Sequence, residues 1–309
     1  MKKAFFQLHI AVLLAGITGI LGKLITLNEG LLVWYRLLIT AVTLWVIALL
    51  GRKSVVAIAV RDRWKIFGVG AVAALHWVAF YGSIKYSNVS VGLLCFSSIG
   101  FFTALIEPLL FRHRIDWVEL LLGLLVMAGI FLIFKVDPHF KTGILIGLVS
   151  ALLGSLFPVL NKRLLERIPA GTVTLYELSG GFVFLSILLP FYLHFFPVES
   201  FWPGWSNLGW LLVLGWLCTV LAFNLSIHAL RKISAFTVNL SYNLEPVYGI
   251  GLAFLFFGEN RYLGTGFYWG MSLIILSVVL QMIRLWAKKR RSGGGAADIS
   301  HEATLGDGQ

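Results

Sequence analysis

Glu245 and Pro246 stand in the middle of the apolar stretch NLSYNLEPVYGIGLAFLFFGEN, residues 239–260. A charge at the centre of a membrane span costs on the order of 3 kcal/mol on insertion scales, and such residues usually face a bundle interior or a watery cavity. A carboxylate held there can take up and release a proton, or bind a substrate ammonium group. The competing role is a neutral Glu that serves helix packing. Pro246 lacks an N–H and is expected to kink the helix by freeing the carbonyl of Tyr242. At 100° per residue, Asn239, Asn243 and Pro246 share one face, and Tyr242 and Glu245 lie on the adjoining one.

Other polar residues fall inside apolar blocks. LHWVAFYGS places His76 near Trp77, Phe80 and Tyr81, an imidazole beside aromatic faces that suits a zwitterionic or aromatic solute. The plain alternative is a histidine bonded across helices. Ser97, Ser98 and Asn224 offer neutral hydrogen bonds to a substrate, or glue between helices. Arg36 is expected to snorkel outward or to pair with Glu29, with Glu177 at the matching depth on the other side. Both read first as structural and second as gating ion pairs. Glu107, followed by Pro108, is placed for closure of an inner gate or for packing. Gly16, Gly19 and Gly22, and Gly266 with Gly270, are spaced for close helix contacts.

Several chemistries find no support. There is no H-E-x-x-H, G-x-S-x-G or paired intramembrane aspartate, and no Walker-type loop. The two cysteines, Cys95 and Cys218, lie in separate apolar blocks and read as buried packing. No catalytic residue, cofactor or metal is expected, and the chain is not read as an enzyme.

The elements that would position these residues are membrane helices. The chain of 309 residues is 59% hydrophobic and 13% charged, against about a quarter charged in soluble domains. Apolar blocks of membrane-spanning length predict ten helices, at 7–27, 31–50, 64–83, 90–111, 117–135, 142–160, 172–195, 207–228, 235–257 and 263–286. The start resembles a signal peptide but lacks a small-x-small cleavage site, so it is read as an uncleaved first span. The net charge of +11 sits in short loops and not in one patch, which argues for the membrane over nucleic acid. With both termini in the cytoplasm, 19 of 25 Lys and Arg residues fall on the inner side, as the positive-inside rule requires.

An internal repeat divides the chain. GILGKLITLNEGLLVWYRLLITAVTL resembles SLFPVLNKRLLERIPAGTVTLYELSGGFVFL, with Lys23 against Lys162 and Arg36 against Glu177. A second register, offset by 146, sets FSSIGFFTALIEPLLFRHR against YNLEPVYGIGLAFLFFGEN. Five spans per half is an odd number, so the halves must insert in opposite orientations, an arrangement that encloses a midplane site and supports alternating access. The halves are 1–138 and 139–291, followed by a Gly-rich polar tail, 292–309, expected to be disordered.

The opening FFQLHIAVLLAGITGILGKLITLNEGLLVWYRLLITAV and the close ALRKISAFTVNLSYNLEPVYGIGLAFLFFGEN, with its A-L-R-x-x-x-A turn, midspan Pro and final F-G-E, are similar to EamA-type bacterial exporters of the drug/metabolite transporter superfamily. The first half departs from the pattern at Gly100, where Pro is usual, and at His113, opposite Glu259. The resemblance implies a central cavity lined by the first, third, fourth, sixth, eighth and ninth spans, and export of amino acids or related solutes. The reading is an all-α polytopic protein of the bacterial inner membrane, a secondary exporter with or without proton coupling, monomeric or homodimeric. Its partners are a small-molecule substrate and lipid. A channel-like facilitator and an intramembrane enzyme of unrecognised type are the alternatives. Reporter fusions test the topology: those after Arg63, Arg114 and Arg290 should report cytoplasm, and one at Gly204 the outside. The reverse pattern would remove the case for export.

Overall fold

The computed structural model describes residues 2–50, 58–112, 114–222, 224–225, 229, 241–242 and 244–303. Among these residues the regular structure is helical throughout. The first half contributes α1 (Lys2–Leu24), α2 (Glu29–Leu50), α3 (Val60–Tyr86), α4 (Val89–Phe96), α5 (Ile99–Phe111) and α6 (Trp117–Val136). The second contributes α7 (Lys141–Leu165), α8 (Ala170–Phe195), α9 (Gly204–Gly215), α10 (Glu245–Phe257) and α11 (Thr265–Ala303). A π-helical turn, Trp216–Leu221, continues α9. Counting α4 and α5 as one, and α9 with its π turn as one, nine helices among the described residues are long and apolar enough to cross a membrane.

Local chemistry sets the helix ends. The side chains of Asn28, Asn88 and Asp116 accept backbone N–H bonds at the starts of α2, α4 and α6, satisfying donors that have no helical partner. α10 stops at Gly258, whose φ of +61° is the left-handed conformation that glycine adopts without strain.

Two expected spans are broken. The fourth divides at Ser97 and Ser98, whose hydroxyls turn back onto the carbonyls of Leu93 and Cys95 at 3.3 and 2.6 Å. In the ninth, Ser241 and Tyr242 are helical, Leu244 lies in a turn, and α10 starts at Glu245. Pro246 therefore does not kink a continuous helix. It occupies the first turn of α10, where its missing N–H removes no helical bond. In the offset-146 register Ser98 and Leu244 are equivalent, so the breaks coincide.

The halves contact each other in exchanged pairs. α3 packs on α7 and α8, as α9 and its π turn pack on α1 and α2; α1 packs on α10, as α7 packs on α4 and α5. Equivalent helices run oppositely. α2 meets α8 at Gly30–Tyr192, Trp34–Ser186 and Trp45–Ser179. α6 meets α11 at Val136–Gly266, Gly129–Gly270, Leu122–Ser277 and Asp116–Arg284. In each series one number rises as the other falls, which is antiparallel packing and hence inversion.

Small residues permit the closest approaches. A Cβ on Gly16 would lie 3.0 Å from the backbone nitrogen of Gly249, so α1 and α10 touch there, while Gly19 meets Val89 of α4 and Gly22 meets Tyr81 of α3. The last helix runs on to Ala303, within the Gly-rich polar tail.

Gly129 and Gly270 give a direct test of this packing. A Cβ on Gly129 would stand 2.6 Å from the carbonyl oxygen of Gly270, and overpacking of this sort typically costs about 1–3 kcal/mol. Gly129→Val should lower the melting temperature of the detergent-solubilised protein clearly, whereas Gly68→Ala, at a position with open space, should leave it nearly unchanged. Equal effects would refute the α6–α11 contact.

Candidate functional site

Arg36 is the best-defined polar centre. It is 4% exposed, although it sits about 10 Å along α2 from its start. Its guanidinium lies 4.1 Å over the ring of Trp77, donates through Nη1 to the hydroxyl of Tyr81 at 2.8 Å, and through Nε to Thr219 at 3.3 Å. The π turn positions Thr219, whose hydroxyl bonds back five residues to the carbonyl of Leu214. Arg36 does not pair with Glu29. Two helical turns separate them, about 10 Å, and the Glu29 carboxylate accepts from the Tyr192 hydroxyl instead. Among the described residues no carboxylate lies within 4 Å of Arg36. Glu245, half-buried at the start of α10, stands within its electrostatic reach.

The remaining predicted residues are distributed around this centre. His76, adjacent to Trp77, is held by α7: its Nδ1 is 2.8 Å from the carbonyl oxygen of Ser150 and 3.1 Å from its hydroxyl. Phe80, Phe96 and Phe157 surround its ring. Tyr242 packs with the apolar cluster of Ala4, Leu8, Val12 and Ala229, so His76 and Tyr242 touch different neighbours. Asn224 is exposed and not without a partner. Asn239 and Asn243 lie outside the described residues. Glu177 is buried, and its carboxylate accepts from Asn161 at 2.8 Å. Ser97 borders an apolar cavity of about 270 Å³ between α10 and α11, walled by Pro246, Ile250, Phe254 and Met271, well suited to hydrocarbon and poorly to a polar solute. Among the described residues no group of three His, Cys, Asp or Glu side chains could hold a metal.

Two ion pairs clamp one half to the other at opposite faces. At the end of α1, Lys23 pairs with Glu259, in the turn after α10, at 2.9 Å. Near the end of α7, the equivalent helix, Lys162 pairs with Glu107 of α5 at 2.7 Å. Each ammonium also lies over an aromatic ring, Lys23 over Phe257 at 4.4 Å and Lys162 over Phe111 at 5.1 Å. Phe111 and Phe257 are equivalent in the offset-146 register. The carboxylates are not, so the repeat keeps the cation and its aromatic seat while supplying the anion from different positions.

The clamps differ in tightness. Glu259 is 3% exposed and also accepts from Val89 N, Ser90 N and the Ser90 hydroxyl at 3.1, 2.9 and 2.6 Å. It thereby caps α4 as well as binding Lys23. Burial pushes its carboxyl pKa up, but the Ser90 and Lys23 bonds outweigh this and hold it below the usual glutamate range. Glu107 and Lys162 are 30% and 58% exposed. Sequence reading missed Lys23–Glu259 as a site. The signal was present in the alignment of Lys23 with Lys162 and in the terminal F-G-E.

A depressed carboxyl pKa adds stability above the ordinary glutamate value, about 4.3, and loses it as pH falls through the lower folded value. Closure at the Lys23 face should therefore persist on acidification down to the ordinary glutamate range and fail only below it. Hydrogen bonds to a charged group contribute about 1.5–3 kcal/mol, so Glu259→Gln should open that face already at neutral pH. Thiol labelling of a cysteine placed at Val89, buried beside the pair, read against pH, checks both. Equal labelling in wild type and variant would refute the clamp.

Comparisons with known proteins bear on this architecture. The model of the EamA-like transporter family matches residues 2–135 and again 141–283. An uncharacterized transporter of Synechocystis sp. is 24% identical over 240 residues, 72% of this chain; the match spans 66% of that relative's length. A solved crystal structure shares the fold with a TM-score of 0.60 at 18% identity, over 94% of this chain and 99% of the other.

Proposed function

Because the chain belongs to the EamA-like transporter family, we propose that it is a secondary transporter exporting small metabolites, amino acids or related solutes, across the bacterial inner membrane by alternating access. The observation that carries this reading is the pair of clamps. Lys23–Glu259 and Lys162–Glu107 tie equivalent elements of inverted halves at opposite faces, so releasing one while closing the other would move access from side to side. With both termini in the cytoplasm, Lys23–Glu259 is the outer clamp. Its greater burial favours a state shut to the outside, with the inner clamp the looser of the two.

Glu245 is the proposed coupling residue. It begins a helix whose start interrupts the ninth span, a design that transporters use at midplane sites. A cavity that opens to each side in turn changes the hydration of this carboxylate, so it takes a proton in one state and releases it in the other. Glu177, buried with only the Asn161 amide in hydrogen-bond contact among the described groups, is the second proton-handling candidate.

Glu245→Gln keeps shape and hydrogen bonding but cannot titrate. In proteoliposomes the variant should still exchange labelled solute, while accumulation driven by a proton gradient should fall to the level without a gradient. Unchanged accumulation with an unchanged pH profile would reduce Glu245 to a structural residue. Saturable counterflow in the wild type separates a carrier from a channel.

A further inference from the structure

We infer that Arg36 is the specificity-determining residue of the transport site and binds a substrate carboxylate. The inference rests on the proposed transport function and assigns the solute's anionic end to one side chain.

Four observations lead here. First, the guanidinium is buried with no carboxylate within ion-pair distance among the described residues. An Arg is not discharged by burial in the way a Lys is, so its charge needs a counter-ion. Second, its existing partners are neutral and hold it by one edge. Trp77 supports the plane, Thr219 takes Nε and Tyr81 takes Nη1; among the described residues Nη2 makes no hydrogen bond. A guanidinium fixed this way keeps a donor edge for a planar oxyanion such as carboxylate. Third, the π turn that brings Thr219 to Nε is irregular backbone, and π turns inside α-helices often occur at functional sites. Fourth, the fold does not demand a cation at this depth. The repeat-equivalent position is Glu177, opposite in sign and held by Asn161.

A solute lacking the carboxylate leaves the Arg36 charge unpaired, and a buried polar group without its partner is what makes such discrimination steep.

The test uses the purified full-length chain in two formats, thermal shift in detergent and counterflow in proteoliposomes. The probes are the common L-amino acids, their amides and the corresponding decarboxylated amines, together with nucleosides and sugars. At least one amino acid should stabilise and exchange while its amide and amine bind ten-fold more weakly or not at all. Arg36→Gln should abolish that preference. Arg36→Lys, which keeps the charge without the planar fork, should weaken the amino acid at least ten-fold. Should Arg36→Gln fail to fold, Thr219→Val serves: it removes the Nε acceptor, together with the hydroxyl's bond to the Leu214 carbonyl, and should raise KM several-fold with little change in maximal rate. Equal handling of acids and amides, exchange of sugars or nucleosides alone, or variants with wild-type affinity would overturn the role of Arg36 and leave the transport reading standing. No exchange of any probe would overturn both.

Discussion

A bilayer interior offers no water to a polar group, so each N–H, carbonyl and charge placed there has to be satisfied by the protein itself. The rest of this structure follows from how that demand is met. Hydroxyls of Ser97 and Ser98 return to backbone carbonyls where the fourth span breaks. Trp34 and Trp45 give their indole N–H groups to Ser186 and Ser179 across the α2–α8 contact. His76 is bound to Ser150. Against this background of local satisfaction, Arg36 is a buried cation whose partners are neutral.

The same demand explains why glycine, and not leucine, marks the central contacts. Apolar burial does little to bring helices together in lipid, so they associate by close packing and hydrogen bonds. Gly16 against Gly249 and Gly129 against Gly270 bring backbones into direct contact. In the first half α5 packs on α6; in the second, an apolar cavity opens between α10 and α11. The inverted halves are thus similar in plan and unequal in detail, and the inequality recurs in the clamps. A carrier needs such a departure from symmetry, because a state open to one side cannot be symmetric with respect to both.

Much of the architecture was legible in the residues. Span lengths, the odd number of helices per half and the glycine spacings all follow from local composition, which the bilayer reads one segment at a time. Pairings between distant residues were harder. Lys23 and Glu259 are 236 positions apart, and nothing local announces their contact. Glu29 was the nearest carboxylate to Arg36 along its helix, but two turns is too far for a side-chain pair, and Tyr192 claims Glu29 instead. Pro246 signalled an interruption correctly and its form wrongly, because proline ends up in the first turn of a helix as readily as it bends one. The π turn at 216–221 has no compositional mark.

The charges at the site also bear on the electrical character of the cycle. Each clamp is an ion pair and contributes no net charge when it opens or shuts. Arg36 and Glu245 contribute none together while the carboxylate is ionised, and a bound zwitterion leaves that sum unaltered. Protonate Glu245, and the empty site holds one positive charge that is carried partway through the field as access changes sides. A full traverse of one charge is worth about 2.3 kcal/mol per 100 mV. On the proposed cycle, the proton on this one carboxylate decides whether the membrane potential acts on the returning carrier or passes it by.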